Sequence, residues 1–181
     1  IRNHFGDGST WNVHLSYSFE EELLGTAGAV RKMASFFEER FLVYYGDNLT
    51  NVDLTAIWED HHGADAVSTL GLLWMDDPTS RGIVELDGRG RVRRFIENPR
   101  PEQVFDGYLV NGGIYILEPE ILERIPARAP SDFSRDVFPP LLEDGRTIHG
   151  HRLRGQLLST DTLERYEYAR QQVAAERFAL P

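Results

Sequence analysis

A few short runs in the chain carry residue types whose spacing could do chemistry. Leu24-Gly25-Thr26-Ala27-Gly28-Ala29 stands at the mouth of a predicted helix. Its small side chains expose backbone N–H groups, and a helix N-terminus favours an anion or the polar edge of a base. The same run equally suits a tight helix entry whose small residues serve packing. Asp47 lies where a continuous apolar run breaks at Gly46-Asp47-Asn48. A carboxylate just past the C-terminal end of a strand can hold a phosphate-bound Mg²⁺, although Asp47-Asn48 is also an ordinary Asx-turn sequence. Glu97, in Phe95-Ile96-Glu97-Asn98-Pro99, could accept hydrogen bonds from sugar hydroxyls, and Asn111, ahead of Gly112-Gly113, could both donate and accept. In isolation these two read as a strand-end charge and a turn residue. His149 and His151 alternate on a predicted strand and so share a face, a spacing that can bind a metal. No carboxylate follows them at short spacing, and ordinary edge-strand histidines are the competing reading. His61-His62, near a helix end, are expected to complement its dipole.

The elements that must position these groups alternate along the chain. Val13, Leu15 and Tyr17 alternate with polar neighbours and predict a first, half-buried strand. Ala29, Val30, Met33 and Phe37 recur at helical spacing over 26–37. Phe41-Leu42-Val43-Tyr44-Tyr45 is a short apolar run, as expected of a strand covered on both faces. Asp53 is positioned to cap a helix to about His62, closed by Gly63. Strands are predicted over 66–75 and 108–117, and Asp87-Gly88-Arg89-Gly90 is a hairpin turn between 83–86 and 92–96. Pro119 suits the first turn of a short helix, and another starts at Ser134 and is interrupted at Pro139-Pro140. A strand over 147–153 and a long helix from about Asp161 to Phe178 close the chain. Strands interleaved with amphipathic helices imply an α/β or α+β layered sheet, in one domain over residues 1–181.

Composition narrows the partners. Acidic residues outnumber basic ones 29 to 19, a formal charge of −10. That field repels phosphate backbones and anionic lipid unless cations cluster, and the one basic cluster, Arg89, Arg91, Arg93 and Arg94, has acidic flanks. Nucleic acid and membrane partners are therefore not expected. The absence of cysteine excludes disulfides, thiolate metal sites and cysteine nucleophiles. No apolar run approaches a membrane span and the first residues do not read as a signal peptide, so cytoplasm is the expected compartment.

The order of the pieces is more specific than any one of them. Phe5-Gly6-Asp7-Gly8, Tyr17-Ser18, Glu22 to Ala29 and Phe41 to Asn48 are followed by Arg81-Gly82-Ile83-Val84-Glu85, Glu97-Asn98-Pro99, Asn111-Gly112-Gly113-Ile114-Tyr115 and Phe133-Ser134-Arg135-Asp136-Val137-Phe138-Pro139. This series resembles the sugar-1-phosphate nucleotidyltransferase family, which includes mannose-1-phosphate guanylyltransferases and glucose-1-phosphate thymidylyl- and uridylyltransferases. The resemblance runs from residue 1 to about residue 170. It implies a Rossmann-like mixed sheet with helices on both faces, and a reaction joining a nucleoside triphosphate to a sugar 1-phosphate with release of pyrophosphate. By position it implies that Gly25, Thr26, Ala27 and Gly28 lie along the nucleotide base. Asp47 would ligate Mg²⁺, and Gly82, Glu97 and Asn111 would line the sugar. The implied partner is a nucleotide or nucleotide-sugar.

The departures are equally specific. The family's opening strand and Gly-rich loop (G-G-x-G-T-R-L), and a later Lys before Pro, have no counterpart in these residues. The expectation is that a βαβ unit of at least about 30 residues is missing. The Lys usual between Glu and Pro is Asn98, and where the family carries a second Mg²⁺ carboxylate this chain has Ser159, with Asp161 a possible substitute. Each lost electrostatic contact costs roughly a hundred- to a thousandfold in rate. The chain alone is therefore expected to be impaired or inactive, with a non-catalytic nucleotide-sugar binding or regulatory module as the alternative and a His-metal protein as a third reading. Loss of a central strand would bare a sheet edge, so a homo-oligomer, or a strand supplied elsewhere, is expected to cover it.

Overall fold

In the computed structural model of the protein, residues 1–75, 82–104, 109–127 and 130–179 are described. Arg81 and Tyr108, which belong to the motif and strand predicted above, lie outside them. A short helix α1 (Arg2–Phe5) precedes α2 (Gly25–Lys32), and the chain then tightens into a 3₁₀ turn at Ala34–Phe36. The helix predicted over 26–37 thus starts one residue earlier and loses α geometry after Lys32. Strands β1 (Phe41–Tyr44) and β2 (Asn48–Thr50) lead to α3 (Leu54–His62). There the Asp53 carboxylate accepts from the backbone N–H of Thr55 at 2.9 Å and of Ala56 at 3.1 Å, the capping its position predicts.

Next come β3 (Ser68–Trp74), the hairpin β4 (Ile83–Leu86) and β5 (Val92–Ile96), and β6 (Leu109–Leu117). In the hairpin turn Asp87 Oδ1 accepts from the N–H of Arg89 at 2.8 Å and of Arg91 at 3.0 Å. Pro119–Arg124 forms a 3₁₀ helix, and a π turn at Phe133–Val137 runs into α4 (Phe138–Glu143). Pro139-Pro140 was expected to interrupt a helix. Instead the two prolines occupy the first turn of α4, where no intrahelical donor is needed. Strands β7 (Ile148–Arg152) and β8 (Leu157–Ser159) and helix α5 (Leu163–Ala174) complete the chain.

The main sheet has the order β5-β4-β6-β3-β7, with β1 pairing antiparallel to β6; β3 and β7 are parallel. It is a mixed sheet built around β6. Alternation along β6 divides the core. Ile114 and Ile116 join Val52, Ile57 and Leu153 under α3, whereas Tyr115 and Leu117 join Phe133, Phe138 and Leu141 under the π turn and α4. Helices therefore cover both faces. Opposite Gly71 the register breaks: Leu70 faces Tyr115 and Leu72 faces Asn111, so β6 advances four residues while β3 advances two. The slack is taken up at Gly112-Gly113, with Gly113 at φ 68°.

The strand predicted over Val13–Tyr17 does not form. Val13 is 53% exposed, and the segment is held locally by the Tyr17 hydroxyl donating to Gly6 O at 2.7 Å and Leu15 N–H donating to Asp7 O at 2.8 Å. Alternation makes a strand only where a sheet edge receives it, and these residues pair with no described strand.

Candidate functional site

The bulge in β6 and the ends of β1 and β4 converge on a cleft of about 270 Å³. Asp47, Gly82, Glu97 and Asn111, spread over 65 positions of sequence, all line it, together with Tyr45, Asn48, Gly112, Gly113, Asp132, Ser134, Ser159, Asp161 and Arg165. The bulge is tied to the β1 exit. Tyr45 N–H donates to Gly113 O at 3.0 Å and the Asn48 side-chain amide to Gly112 O at 3.0 Å. A Cβ at Gly113 would lie 2.8 Å from the Tyr45 ring, so glycine is required there both by space and by φ.

Asn111 is fixed at three points. Its N–H donates to Gly82 O at 2.8 Å, its side-chain amide donates to the Tyr115 hydroxyl at 2.7 Å, and its Oδ1 accepts from Gly113 N–H at 3.1 Å. One further proton and one lone pair of the side chain stay available to a ligand. The Tyr115 hydroxyl donates onward to that of Tyr45 at 3.3 Å, and burial pushes the Tyr45 hydroxyl up to about 12, so both tyrosines are neutral donors. Gly82 is small because a Cβ there would lie 2.4 Å from Glu97 Oε2 and 2.9 Å from the Phe95 ring. Glu97 is thereby seated directly over the start of β4.

The Asp47 carboxylate takes no hydrogen bond from a described residue, so the Asx turn is not made; the turn is held by Asn48 N–H donating to Tyr45 O at 3.0 Å. Asp47 is pinned through its carbonyl instead, which accepts from Thr160 N–H at 2.7 Å and its hydroxyl at 2.9 Å. Pairing of β2 with β8 sets Asn48 opposite Ser159 and so brings Ser159 and Asp161 beside Asp47. The Asp161 carboxyl is held below the usual range: burial raises it, but hydrogen bonds from Arg165 and Ser159 outweigh that. Two carboxylates and a hydroxyl are hard oxygen donors of the kind Mg²⁺ accepts. Among the described residues no group of three or more His, Asp or Glu side chains is placed to hold a metal. The donors fit a Mg²⁺ that completes its shell with ligand phosphates and water, and do not fit one caged by protein alone.

Gly25 to Gly28 do not line this cleft. They pack on the 131–133 segment, whose Ser131 carbonyl accepts from Ala27 N–H at 3.1 Å and Gly28 N–H at 3.2 Å. A Cβ at Gly25, at φ 78°, would lie 2.3 Å from that carbonyl. The Thr26 hydroxyl donates to Asp132 Oδ2 at 2.9 Å and accepts from Phe133 N–H at 3.1 Å. The small residues thus serve a tight helix entry, and the run reaches the cleft through Asp132. Asn98 is exposed at φ 47°, a conformation Asn tolerates better than most residues, and it does not line the cleft.

Asp132, Ser134 and Arg165 were missed by the sequence reading. Asp132 Oδ1 accepts from the Ser134 hydroxyl at 2.7 Å, and Arg165 Nη1 donates to both Asp161 oxygens at 2.9 and 3.1 Å. The available signals were a capping pattern at Asp132 and an i,i+4 Asp–Arg spacing, neither of which points to a cleft.

The histidines do other work. His149 Nε2 and His151 Nδ1 share Asp60 Oδ2 at 3.0 and 2.7 Å, so the carboxylate that sequence spacing lacked arrives from α3. His61 does not serve the helix dipole but turns inward, meeting Thr69 Oγ1 at 2.7 Å and Glu118 Oε1 at 3.1 Å, and burial pulls its pKa down. Glu118 also pairs with Arg40, and this group lines a larger cleft of about 650 Å³ at the opposite end of β1. Its charges are spent on one another, as in Arg146 with Glu120.

The family profile described as nucleotidyl transferase matches residues 1–157. A UTP–glucose-1-phosphate uridylyltransferase of Synechocystis is 33% identical over 159 residues, covering 80% of this chain and 41% of the relative. A mannose-1-phosphate guanylyltransferase of Mycobacterium tuberculosis is 34% identical over 145 residues, covering 78% and 39%. The chain therefore spans about two fifths of the length of these curated relatives. A Bacillus anthracis structure assigned as a glucose-1-phosphate thymidylyltransferase, in complex with a sucrose, superposes with a TM-score of 0.79 at 18% identity, covering 99% of this chain and 72% of that one. HddC from Yersinia pseudotuberculosis complexed with GMP-PN superposes at 0.72 with 22% identity, covering 94% and 74%. These two likenesses show the shared α/β fold.

Proposed function

The chain belongs to the nucleotidyl transferase family, and from that premise we propose that its cleft is the sugar-phosphate side of a sugar-1-phosphate nucleotidyltransferase site. One observation carries this reading: residues as distant as Asp47, Gly82, Glu97, Asn111 and Asp161 meet in a single cleft at the β6 bulge. In the reaction a sugar phosphate oxygen bonds to the α-phosphorus of a nucleoside triphosphate as the α–β bridging P–O bond breaks, releasing pyrophosphate. The backbone of Gly82, which a side chain would bury, lets the sugar approach. Glu97 accepts from its hydroxyls, and Asn111, held rigid by Tyr115, adds a donor and an acceptor. Asp47, with Asp161 in place of the carboxylate that Ser159 lacks, would hold Mg²⁺. That ion would neutralise phosphate charge and orient the polyphosphate. Nucleotide contact by Gly25 to Gly28 is limited to groups other than the Ala27 and Gly28 amides.

Within these 181 residues we propose binding with impaired turnover, because no Gly-rich triphosphate loop is present and Asn98 brings no cation. A cytoplasmic setting belongs to the same reading. Among the described residues no helix is long and apolar enough to cross a membrane. Among the described residues β1 pairs with β6 alone, which supports a homo-oligomer or a further strand covering its other edge. A monodisperse monomer by light scattering at micromolar concentration would count against the oligomer. The functional test is calorimetric titration with GDP-mannose, UDP-glucose and dTDP-glucose, with and without Mg²⁺, alongside pyrophosphate release. Saturable, Mg²⁺-dependent binding to one of them is expected; no binding to any of them refutes the reading.

A further inference from the structure

We infer that Arg165 is the phosphate-recognition residue of the cleft, held in reserve by Asp161 until a pyrophosphate or phosphate-ester ligand displaces that carboxylate. This deepens the proposed function and rests on it. The described residues lining the cleft include the carboxylates of Asp47, Glu97, Asp132 and Asp161 and a single cation, Arg165. A phosphorylated ligand entering an acidic cleft needs positive charge, and among the described residues that line it this guanidinium supplies it.

The local geometry fits exchange. Arg165 lies in the first turn of α5, where a cation opposes the helix dipole, so helix stability does not call for it there. Its Nη1 spans both Asp161 oxygens at 2.9 and 3.1 Å, while Nε and Nη2 donate to no described residue. That leaves a free guanidinium edge suited to two parallel bonds with a phosphate. The ion pair itself is half open to water, with side chains 45% and 40% exposed. Exposed pairs of this kind are weak and exchange readily. Once Arg165 turns to phosphate, Asp161 is released beside Asp47 as a second oxygen donor for Mg²⁺. Ligand charge and metal site are thereby linked through one side-chain movement.

Calorimetric titration with pyrophosphate, at fixed Mg²⁺ and without it, tests this on wild type and on Arg165→Gln, Arg165→Lys, Asp161→Asn and Arg170→Gln. Arg165→Gln is expected to weaken pyrophosphate binding about 10- to 100-fold and to flatten its salt dependence. Arg165→Lys should recover part of the loss, and Arg170→Gln, on a different side of α5, should bind within about twofold of wild type. Without Mg²⁺, Asp161→Asn should bind pyrophosphate more tightly than wild type, because it frees the arginine; a purely structural pair predicts no gain. Melting temperatures of the variants report whether folding is intact. Wild type that takes no pyrophosphate, or Arg165→Gln that binds like wild type, overturns the inference. If Arg165→Gln binds UDP-glucose and pyrophosphate as wild type does, the arginine assignment falls and the nucleotidyltransferase reading stands. Arginine-dependent pyrophosphate binding with no affinity for any nucleotide-sugar upholds the arginine and removes that reading.

Discussion

Replacing Gly113 by alanine tests whether the β6 bulge builds the cleft. Gly113 sits at φ 68°, where an L side chain costs about 1–2 kcal/mol. Its new Cβ would stand 2.8 and 2.9 Å from Tyr45 ring carbons and 3.0 Å from the Asn48 amide nitrogen, contacts that require movement. Overpacking of that kind adds about 1–3 kcal/mol, for a total of about 2–5 kcal/mol. The same movement displaces the Tyr45 ring from the hydroxyl of Tyr115, to which Asn111 is anchored, so ligand affinity should fall along with stability. Gly46→Ala is the control: its Cβ meets nothing within 4 Å and its φ is not positive, so it should be neutral or stabilise slightly. Urea unfolding with linear extrapolation reads both, and for a chain of this size Gly113→Ala should lower Tm by about 4–20 °C. A Gly113→Ala protein within about 0.5 kcal/mol of wild type, or a Gly46→Ala protein equally damaged, would refute the reasoning.

Other consequences can be checked independently. Thr26→Val removes the hydroxyl that joins Asp132 Oδ2 and Phe133 N–H, and should cost about 1–3 kcal/mol in urea unfolding; a neutral result would mean water replaces it. Burial lowers the His61 pKa, so its NMR titration midpoint should fall below the usual histidine value of about 6.5. The sign follows: stability linked to neutral His61 is fully present above about pH 6.5 and is lost as pH falls through the lower folded-state value, and a midpoint above 6.5 contradicts this. Burial raises the Asp60 carboxyl, but hydrogen bonds from His151 and His149 outweigh it and leave the pKa lowered. Asp60→Asn should therefore be less stable than wild type above about pH 4, with the gap closing as pH falls further; a pH-independent gap would show that the pair contributes through packing alone.

Much of the fold could be read from one-dimensional patterns because it rests on local physics. Asp53 before an apolar-periodic run caps α3 and Asp87 to Gly90 form the hairpin turn, while the continuous run from Phe41 forms the expected strand β1 but is not covered on both faces, since Leu42 is 37% exposed. The Val13–Tyr17 alternation failed because pairing is supplied by a neighbour and no local pattern encodes one. Gly25 to Gly28 illustrate the same limit: the run marks a close backbone approach, but only the fold shows that the approaching group is the Ser131 carbonyl from more than a hundred residues away.

The sequence by itself determined the family and most of the element order, though not the absence of a strand at Val13–Tyr17 or the short pair β2 and β8, because propensity and capping act within a few residues. Tertiary structure decided which charges meet. It brought Asp60 to His149 and His151, turned His61 into the core, and drew Arg165, Asp132 and Asp161 into the cleft of Asp47, Glu97 and Asn111. Electrostatic and hydrogen-bonding partners are chosen by distance in space, and for residues on separate strands and helices that distance is set by sheet order, register and the β6 bulge.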